Sequence, residues 1–324
     1  MHLAAWGVVG VGAVGAFLLW WLGDRWGPAT IMLFGPRWLT VPPLILLATA
    51  IAIWNRSAWV PLGIASLIVL FPILGFRTGW RAWVSTGQRE GDVRVITFNA
   101  AGARSLEPEA YSFLTAPDVD LVAVQECGEL RNVFTRLRGW YADQRGSACL
   151  LSRFPILDVK QMEREGLLTA GGSGLVVTYT LDAAQRPIHL TNLHLETPRR
   201  GFEAILDGKV SEGLRQLSTS SQLRMIESDL ARRWIEGTPE AAIVAGDFNT
   251  PVESSIYRTH WGDMRNAFSY AGVGFGRTRD NGWIKVRIDH VLTKGSWRPI
   301  RAFVGPDLGS DHRALVADLR WTGK

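Results

Sequence analysis

This 324-residue chain has few cysteines, few charged residues in its first 90 positions and none of the usual signal-peptide features, and these absences exclude or disfavour several classes of protein. It has only two cysteines, which excludes a disulfide-rich scaffold and disfavours a Cys–His zinc centre. Residues 1–90 contain only eight charged side chains, none of them lysine. No basic stretch precedes the first apolar run and no small-residue cleavage site follows it, so the sequence disfavours a cleaved signal peptide. No internal repeat and no low-complexity tract is recognisable.

The net charge of +5 is unevenly distributed along the chain. The first 90 residues contribute +4, because six arginines face only two acidic residues. The remaining residues carry 29 basic and 28 acidic groups and are close to neutral. A surface that binds duplex nucleic acid should be clearly basic, so the neutral part is a poor candidate for one. The basic excess instead marks the apolar N-terminal segment.

Three uncharged runs lie in that segment, namely Leu3–Gly23, Trp38–Asn55 and Ser57–Phe76. Each is close to the roughly 20 residues that a bilayer-spanning helix needs. Tryptophans cluster at the ends of the runs, where a bilayer has its headgroups. A buried hairpin of a soluble protein is disfavoured, because three such runs would need a large partner to cover them. We therefore predict a multi-pass inner-membrane anchor of about three helices over residues 1–76.

A polar linker is predicted over residues 77–92, followed by a catalytic domain over residues 93–324. Short β-branched runs there alternate with polar stretches of helical periodicity, which predicts an α/β sandwich of two sheets with helices outside. The predicted strands are Val93–Phe98, Leu121–Gln125, Ala148–Leu151, Gly174–Leu181, Ile188–Leu193, Ala242–Ala245, Ile288–Thr293 and Ala314–Leu319. The predicted helices are Pro108–Ala116, Leu130–Arg138 and Leu214–Glu236.

Polar side chains recur at the ends of these apolar strands, where catalytic loops lie in α/β folds. Taken singly, each of these side chains has an ordinary structural interpretation. Asp247 would be the N-cap of a helix, and His194 would be a histidine in the core or at its rim. Together they predict one polar cluster, because burying so many polar groups without a ligand is costly. The candidates are Asn99, Glu126, His194, Asp247, Asn249, Asp289, Asp311 and His312.

The chemistry of this set favours hydrolysis at phosphorus. The carboxylates of Glu126 and Asp311 are hard oxygen ligands that suit Mg²⁺, with Mn²⁺ as an alternative. Imidazoles and amides suit the oxygens of a phosphoryl group, and a further carboxylate can orient a water molecule. Metal-assisted hydrolysis is the reaction class that uses all of these groups.

The ordered motifs ITFN, VQE, NLHLE, GDFNT, RIDHV and SDH resemble the endonuclease/exonuclease/phosphatase superfamily. The resemblance covers Arg94 to Leu319 and implies the DNase I-like fold, a four-layer α/β sandwich. It implies that Glu126 binds the catalytic Mg²⁺, with Asn99 and Asp311 close to the metal.

The resemblance also implies roles for the other motif residues. Asp247 would orient or deprotonate the attacking water, and Asn249 would hold a phosphate oxygen. Asp289 would keep His312 protonated to stabilise transition-state charge, and His194 would contact a phosphate oxygen or help the leaving group. His290 is left out, because alternation along a strand points it to the opposite face.

Two positions differ from the motifs of one branch of the superfamily, the abasic-site endonucleases. Abasic-site endonucleases often have an acidic residue where this chain has Ala101, and a tyrosine where it has His194. DNA repair is therefore disfavoured. The histidine form is shared by DNase I, inositol polyphosphate phosphatases and sphingomyelinases.

The anchor resembles that of a membrane-bound bacterial branch that includes the VanJ-type teicoplanin-resistance proteins. This resemblance implies a lipid-linked phosphate substrate, such as a polyprenyl pyrophosphate or a phospholipid headgroup, and an extracytoplasmic catalytic domain. Arg199 and Arg200 are candidate substrate residues, because they follow the histidine motif in a stretch that also holds Phe202. The arginine count points the other way, since Arg56 alone marks the side opposite the domain. We favour the outer face, because long domains are translocated despite juxtamembrane charge.

The sequence thus predicts a membrane-anchored, metal-dependent phosphohydrolase whose partners are the bilayer and a lipid-linked phosphate. A membrane-tethered DNase I-like nuclease and an inactive phospholipid-binding scaffold are the alternatives. No protein partner is indicated. Cys127 and Cys149 are predicted to be buried at strand ends, and a disulfide between them would indicate the outer face.

Overall fold

The computed structural model describes residues 2–54, 58–83, 87, 89–102, 107–130, 134, 136–183, 186–237, 242–282 and 284–323. The strands are β1 (Arg77–Thr78), β2 (Val93–Asn99), β3 (Leu121–Gln125), β4 (Tyr141–Arg145), β5 (Ala148–Ser152), β6 (Ile156–Gln161), β7 (Leu175–Ala183), β8 (Arg186–His194), β9 (Ala242–Asp247), β10 (Arg265–Asn266), β11 (Val273–Gly274), β12 (Arg279–Asn281), β13 (Ile284–Val286), β14 (Asp289–Thr293), β15 (Trp297–Val304) and β16 (Leu315–Trp321).

The α-helices begin with four in the apolar N-terminal segment, and the others belong to the rest of the chain. They are α1 (His2–Phe17), α2 (Gly27–Phe34), α3 (Val41–Trp54), α4 (Trp59–Ile68), α5 (Trp80–Trp83), α6 (Pro108–Leu114), α7 (Glu165–Thr169), α8 (Arg199–Leu206), α9 (Val210–Glu236), α10 (Ser255–Trp261) and α11 (Ala267–Ala271).

Two six-stranded mixed sheets form the main body. Sheet A has the strand order β15-β16-β2-β3-β5-β4, and sheet B has the order β10-β14-β9-β8-β7-β6. The pairs β2–β3 and β8–β9 are parallel, whereas the other neighbouring strands within both sheets are antiparallel. These sheets and their flanking helices form the α/β sandwich that the sequence predicts.

Apolar side chains on both faces of the central strands explain the layers. Every residue of β2 is buried, and its successive side chains point to opposite faces. Val95 faces the opposing sheet, where it shares a core with Ile243, whereas Ile96 packs outward in a cluster with Leu114 of α6. On the outer face of sheet B, α9 contributes Ile235 to a third cluster. Burial of all these faces leaves the strand ends as the place for polar groups.

All eight predicted strands are present, and their ends differ from the predicted ones by at most two residues. Strands β4, β6 and β15, which the sequence reading missed, lie at sheet edges, where side chains are half exposed and Pro299 is tolerated. Much of the predicted helix Leu130–Arg138 lies outside the described residues. Helix α8, with the sequence RRGFEAIL, lies where the sequence predicts a loop.

The N-terminal helices differ from the predicted three-span anchor. Residues 2–22 form one continuous helix, and its Ala5–Leu22 window is long and apolar enough to cross a bilayer while only 11% buried. The helices Gly27–Phe34 and Arg37–Ile53 meet at an angle of 92°. The third run forms a helix over Trp59–Ile73, about 22 Å long at 1.5 Å per residue, against a hydrocarbon core of about 30 Å.

The prediction of three spans is therefore not supported by the described residues. They contain one helix that meets the length and composition of a span, or two if the bent pair counts as one. The bend follows from Gly35 and Pro36, because the residue before a proline disfavours helical geometry. Arg56, on which the orientation count depended, lies outside the described residues.

The predicted linker over residues 77–92 is partly structured. Strand β1 pairs with β11, and the guanidinium of Arg81 lies 4.6 Å from the ring centroid of Tyr270. This part of the segment packs on the catalytic domain instead of connecting two bodies freely.

The N-terminal helices bind the segment that directly follows β9. Asp24 Oδ2 accepts hydrogen bonds from Ser254 Oγ at 2.5 Å and Ser255 Oγ at 3.2 Å. Arg37 Nη1 lies 3.0 Å from Glu253 Oε2, and both side chains are largely buried. Asp24 and Arg37 are therefore contact residues between the N-terminal helices and the sandwich.

Candidate active site

Six strand ends bring the motif residues to one edge of the sandwich. Asn99 ends β2 beside the end of β3, which Glu126 follows. In sheet B, His194 at the end of β8 is in register with Asp247 at the end of β9, and Asp247 is in register with Asp289. The sequence predicts that these residues share one site, and the strand register places them at the same edges.

Asn99 joins the two sheets within this cluster. Its Nδ2 donates to Glu126 Oε1 at 3.1 Å and to Asp247 Oδ2 at 3.0 Å. Glu126 belongs to sheet A and Asp247 to sheet B, so one amide holds together two carboxylates from opposite layers. Asn99 Oδ1 accepts from the backbone of Ala101, which fixes the amide orientation.

His194 faces the same two carboxylates. Its Nε2 lies 3.7 Å from Glu126 Oε1 and 3.7 Å from Asp247 Oδ2. The imidazole is partly exposed, whereas Asp247 is buried. This position at the mouth of the cluster suits the predicted contact with a phosphate oxygen.

His312 is held between two buried carboxylates. Its Nδ1 lies 2.9 Å from Asp289 Oδ2, and its Nε2 lies 3.7 Å from Asp247 Oδ2. Burial alone would lower the pKa of His312, but the negative charges of Asp289 and Asp247 outweigh it and raise the pKa to about 9. The two carboxylates therefore favour the imidazolium form of His312, against the positive charge of Arg279, whose Nη1 lies 2.7 Å from His312 Nε2.

The two carboxylates beside His312 respond in opposite directions. Burial and the nearby charge of Asp289 raise the pKa of Asp247. Burial also acts on Asp289, but the charge and hydrogen bond of His312 lower its pKa overall. Asp289 is thus the permanent counter-ion of His312, and Asp247 has the greater proton affinity, which a general base requires.

Backbone conformation positions Glu126 and Asn249. Both have positive φ, 48° for Glu126 and 47° for Asn249, a region that side-chain-bearing residues seldom adopt. The backbone nitrogen of Asn249 donates to Asp247 Oδ1, and its Nδ2 donates to the carbonyl oxygen of Leu195. These bonds keep the Asn249 side chain at the site.

Asp311 lies in an arginine cluster beside the carboxylates. Its Oδ2 is 2.6 Å from Arg279 Nη2 and 3.2 Å from Arg199 Nη2. Among the described contacts it has no hydrogen bond to Glu126 or Asn99, so its place beside the metal stays a prediction. Arg199, although exposed, thus reaches the site, whereas no contact among the described residues brings the exposed Arg200 to it.

A model of the endonuclease/exonuclease/phosphatase family matches residues 96–312. The chain belongs to this family. Solved structures with a similar fold include humanized D. rerio TDP2 with 14 mutations, at a TM-score of 0.56 and 17% identity, covering 71% of this chain and 99% of that chain.

A family protein from Bacteroides thetaiotaomicron has a TM-score of 0.51 and 15% identity, covering 72% of this chain and 98% of its own. The human Nocturnin catalytic domain with bound sulfate has a TM-score of 0.50 and 16% identity, covering 76% and 100%. At these identities the likenesses show the fold alone. No curated protein matches the chain.

Enzymes of this family use divalent metal ions, typically Mg²⁺, and the residues here fit one. The carboxylates of Glu126 and Asp247 share a single amide donor, an arrangement that a cation between like charges stabilises. Asp311 Oδ1 is buried and has no hydrogen-bond partner among the residues that the structure describes. Asp247, Asp289 and His312 also place ligand atoms within 4.8 Å of one another, although His312 and Asp289 already bind each other. The oxygen-rich donor set suits a hard cation.

Arg279 is the site residue that sequence reasoning undervalued. Its Nη1 lies 2.7 Å from His312 Nε2, while its Nη2 pairs with Asp311. The sequence shows it only as one of a local group of basic residues, for which a solvated loop is an equally good interpretation. The bridge between Arg279 and His312, formed across distant parts of the chain, is what brings it to the site.

Polar residues beneath the site were also missed. Gln125 Nε2 donates to Asn192 Oδ1 at 2.7 Å, and Asn192 Nδ2 donates to the carbonyl oxygens of Val124 and Cys149. These buried amides cross-link the two sheets directly below the catalytic cluster. His290, which the sequence analysis left out, is buried and bonded to Asn266 and to the carbonyl oxygen of Thr250.

Proposed function

We propose that this chain is a membrane-associated, divalent-metal-dependent phosphohydrolase of a lipid-linked phosphoester or phosphoanhydride. The observation that carries the proposal is the contact between the apolar helices and the catalytic segment. Asp24 and Arg37 bind Glu253, Ser254 and Ser255, only a few residues after Asn249. The catalytic centre therefore lies close to the part of the chain that would contact a bilayer.

Exposed apolar side chains support membrane association. Leu3, Val11, Leu46 and Val60 are each more than 65% exposed, and other large apolar residues around them are exposed as well. Water disfavours apolar surface of this extent, whereas hydrocarbon accommodates it. The near-neutral charge of residues 91–324 further favours a lipid-borne phosphate over a nucleic acid.

Each residue of the site has a separate role in the proposed hydrolysis. Glu126 and Asn99 would hold the metal, with Asp311 nearby, and the bound ion would supply Lewis-acid activation and neutralise phosphate charge. Asp247 accepts a proton from the attacking water or orients it. Cationic His312, held by Asp289, donates hydrogen bonds to the charge that develops on phosphorus oxygens. His194 and Asn249 contact further phosphate oxygens.

The cysteine pair supports an extracytoplasmic catalytic domain. Cys127 and Cys149 form a disulfide between the end of β3 and strand β5. Disulfides persist in oxidising compartments, so this bond favours the outer face over the cytoplasm. It also favours the likeness to the VanJ-type branch, whose substrates would be polyprenyl pyrophosphates or phospholipids.

Hydrolysis by the purified full-length protein in nanodiscs tests the proposal. We expect Mg²⁺-dependent phosphate release from at least one member of a panel of polyprenyl phosphates, polyprenyl pyrophosphates and phospholipids. Glu126→Gln and His312→Ala should each lower the rate by about 100-fold or more, since both remove charge stabilisation.

Matched substitutions control for folding. Glu129→Gln changes an exposed acid near Glu126, and His189→Ala changes a histidine in β8 that lies five residues before His194. Both substitutions lie outside the cluster of motif residues, so both variants should retain the wild-type rate. Plasmid cleavage without lipid hydrolysis would instead identify a nuclease, and no turnover on either substrate class would refute the proposal.

A further inference from the structure

A cleft of about 380 Å³ opens beside the catalytic centre. Its size falls in the range of about 300–1,000 Å³ that is common for small-ligand sites. The N-terminal helices and the catalytic domain build it together, because α2 contributes one wall and α8 and the β12–β13 hairpin contribute others. It is therefore a different feature from the cluster of carboxylates and histidines at the strand ends.

One end of the cleft is cationic and catalytic. Asn249, Arg199 and Arg279 lie in its lining. Arg279 is also the partner of His312, and both arginines pair with Asp311. A ligand that enters the cleft with an anionic group at this end would place that group against the catalytic residues.

The other end of the cleft is apolar. Phe34 from α2, Phe202 and Leu206 from α8, and Ile284 and Ile288 from the hairpin region line it. The rings of Phe34 and Phe202 meet edge to face, with centroids 5.8 Å apart. Apart from Leu206, these side chains belong to the same apolar cluster as the N-terminal helices. The apolar end is thus continuous with the part of the molecule that favours hydrocarbon.

We propose that this cleft holds the first part of the hydrocarbon chain of the substrate, with the phosphate at Arg199, Asn249 and Arg279. The proposal rests on the proposed function and deepens it, because it makes the N-terminal helices part of the substrate site. Glu203 also lines the cleft, and its negative charge opposes a chain of successive phosphates such as a nucleic acid. A substrate with one phosphate group on an apolar chain matches both the cationic end and the apolar end of the cleft.

A series of alkyl phosphates of increasing chain length measures the interaction. In wild-type holoenzyme, we expect kcat/KM to rise about fourfold for each methylene that the cleft buries, from the free energy of methylene burial, and then to level off. Short members of the series are monomeric in water, so the gain reports on the cleft and not on concentration in the bilayer.

Two variants locate the effect. Leu206→Glu places a charge at the apolar rim and should lower the ratio of long-chain to short-chain kcat/KM by about tenfold. Ile284→Trp fills the cleft without adding charge and should lower the same ratio. Leu157→Glu is the matched control, because Leu157 and Leu206 are both exposed leucines, at 61% and 83%, and Leu157 lies on the edge strand β6. It should keep the wild-type ratio.

The possible results separate this inference from the proposed function. If wild-type enzyme hydrolyses lipid phosphates without chain-length dependence, or if Leu206→Glu and Leu157→Glu give the same ratio, the cleft does not bind the chain and only this inference fails. If wild-type enzyme hydrolyses no alkyl or lipid phosphate, the proposed function fails and the inference fails with it.

Discussion

At the scale of single residues, the site depends on carboxylates that differ in proton affinity although they lie close together. Asp289 and Asp247 are both buried and both face His312, but only Asp289 is within hydrogen-bond distance of the imidazole. That contact makes Asp289 a fixed anion and leaves Asp247 available to accept a proton. The division follows from less than 1 Å of difference in distance.

The Asp289–His312 pair sets the alkaline limit of activity. His312 must be protonated to donate to phosphate oxygens, and its pKa is raised to about 9 mainly by Asp289 once burial is overcome. Activity should fall as pH rises through that value. Asp289→Asn removes the nearer negative charge, so the pKa of His312 falls and the alkaline limb should move to lower pH. The measurement is kcat against pH, with Asp158→Asn as an exposed control. An unmoved limb in Asp289→Asn would contradict this assignment.

At the scale of elements, charged residues of the N-terminal segment do more than flank the apolar helices, because they also bind the sandwich. Arg37 binds Glu253 and donates to the carbonyl oxygens of Leu33 and Ile73, so it joins two helices to the segment after β9. Burial would raise the pKa of Glu253, yet the charges of Arg37 and Arg287 lower it. The ion pair is therefore intact across the neutral range.

Removing one member of this pair should destabilise the fold. Glu253→Gln leaves the buried charge of Arg37 uncompensated and should lower the free energy of unfolding by about 3–5 kcal/mol. The double variant Arg37→Met/Glu253→Leu should recover part of that loss, because it removes both charges of the ion pair, although the buried Arg287 also loses the nearby charge of Glu253. Denaturant unfolding of the full chain in detergent measures both. Equal losses in the single and double variants would show that the charges themselves are not responsible.

The elements of the sandwich were largely predictable, and the contacts between them were not. Central strands such as β2 and β3 have apolar side chains on both faces, so composition alone locates them. Edge strands such as β6 alternate weakly and escape that signal. Motif order predicted which residues meet at the site, but Arg279 reaches His312 only through the pairing of distant segments. The predicted three-span anchor is not supported, because the third apolar run is helical only over Trp59–Ile73 and the helix of the second run meets the helix Gly27–Phe34 at 92°.

At the scale of the whole molecule, the amino-acid composition divides the chain into an apolar N-terminal segment and a more polar remainder. In the structure, these two parts pack against each other. The N-terminal helices share an apolar cluster with Val286 and Ile288 of the catalytic domain. Asp24, which the sequence offers as a flanking acid, is buried against the start of α10. Long-range packing of this kind leaves no periodic signal in either partner, so the sequence could not predict it.

The disulfide between Cys127 and Cys149 gives a prediction for the whole fold. It closes a loop with a sequence separation of 22 residues. In the loop-entropy model, a closure of this size stabilises the native state by about 3 kcal/mol. Cys127→Ser/Cys149→Ser should therefore unfold at lower denaturant concentration than oxidised wild type, and wild type treated with reductant should shift towards the variant. Free thiols in protein taken from an intact membrane would contradict an oxidising location.

The contact between Glu253 and Arg37 also bears on how the enzyme can be dissected. A fragment that begins after residue 76 would retain all the family motifs, yet it would present Glu253, Ser254 and the apolar Ile288 to water without their partners. Those residues adjoin Asn249, so the exposed surface would lie next to the catalytic loop. Crystallisation or inhibitor screening of such a fragment would sample an altered entrance to the site, so a truncated enzyme with the native entrance must keep the N-terminal segment that carries Asp24 and Arg37.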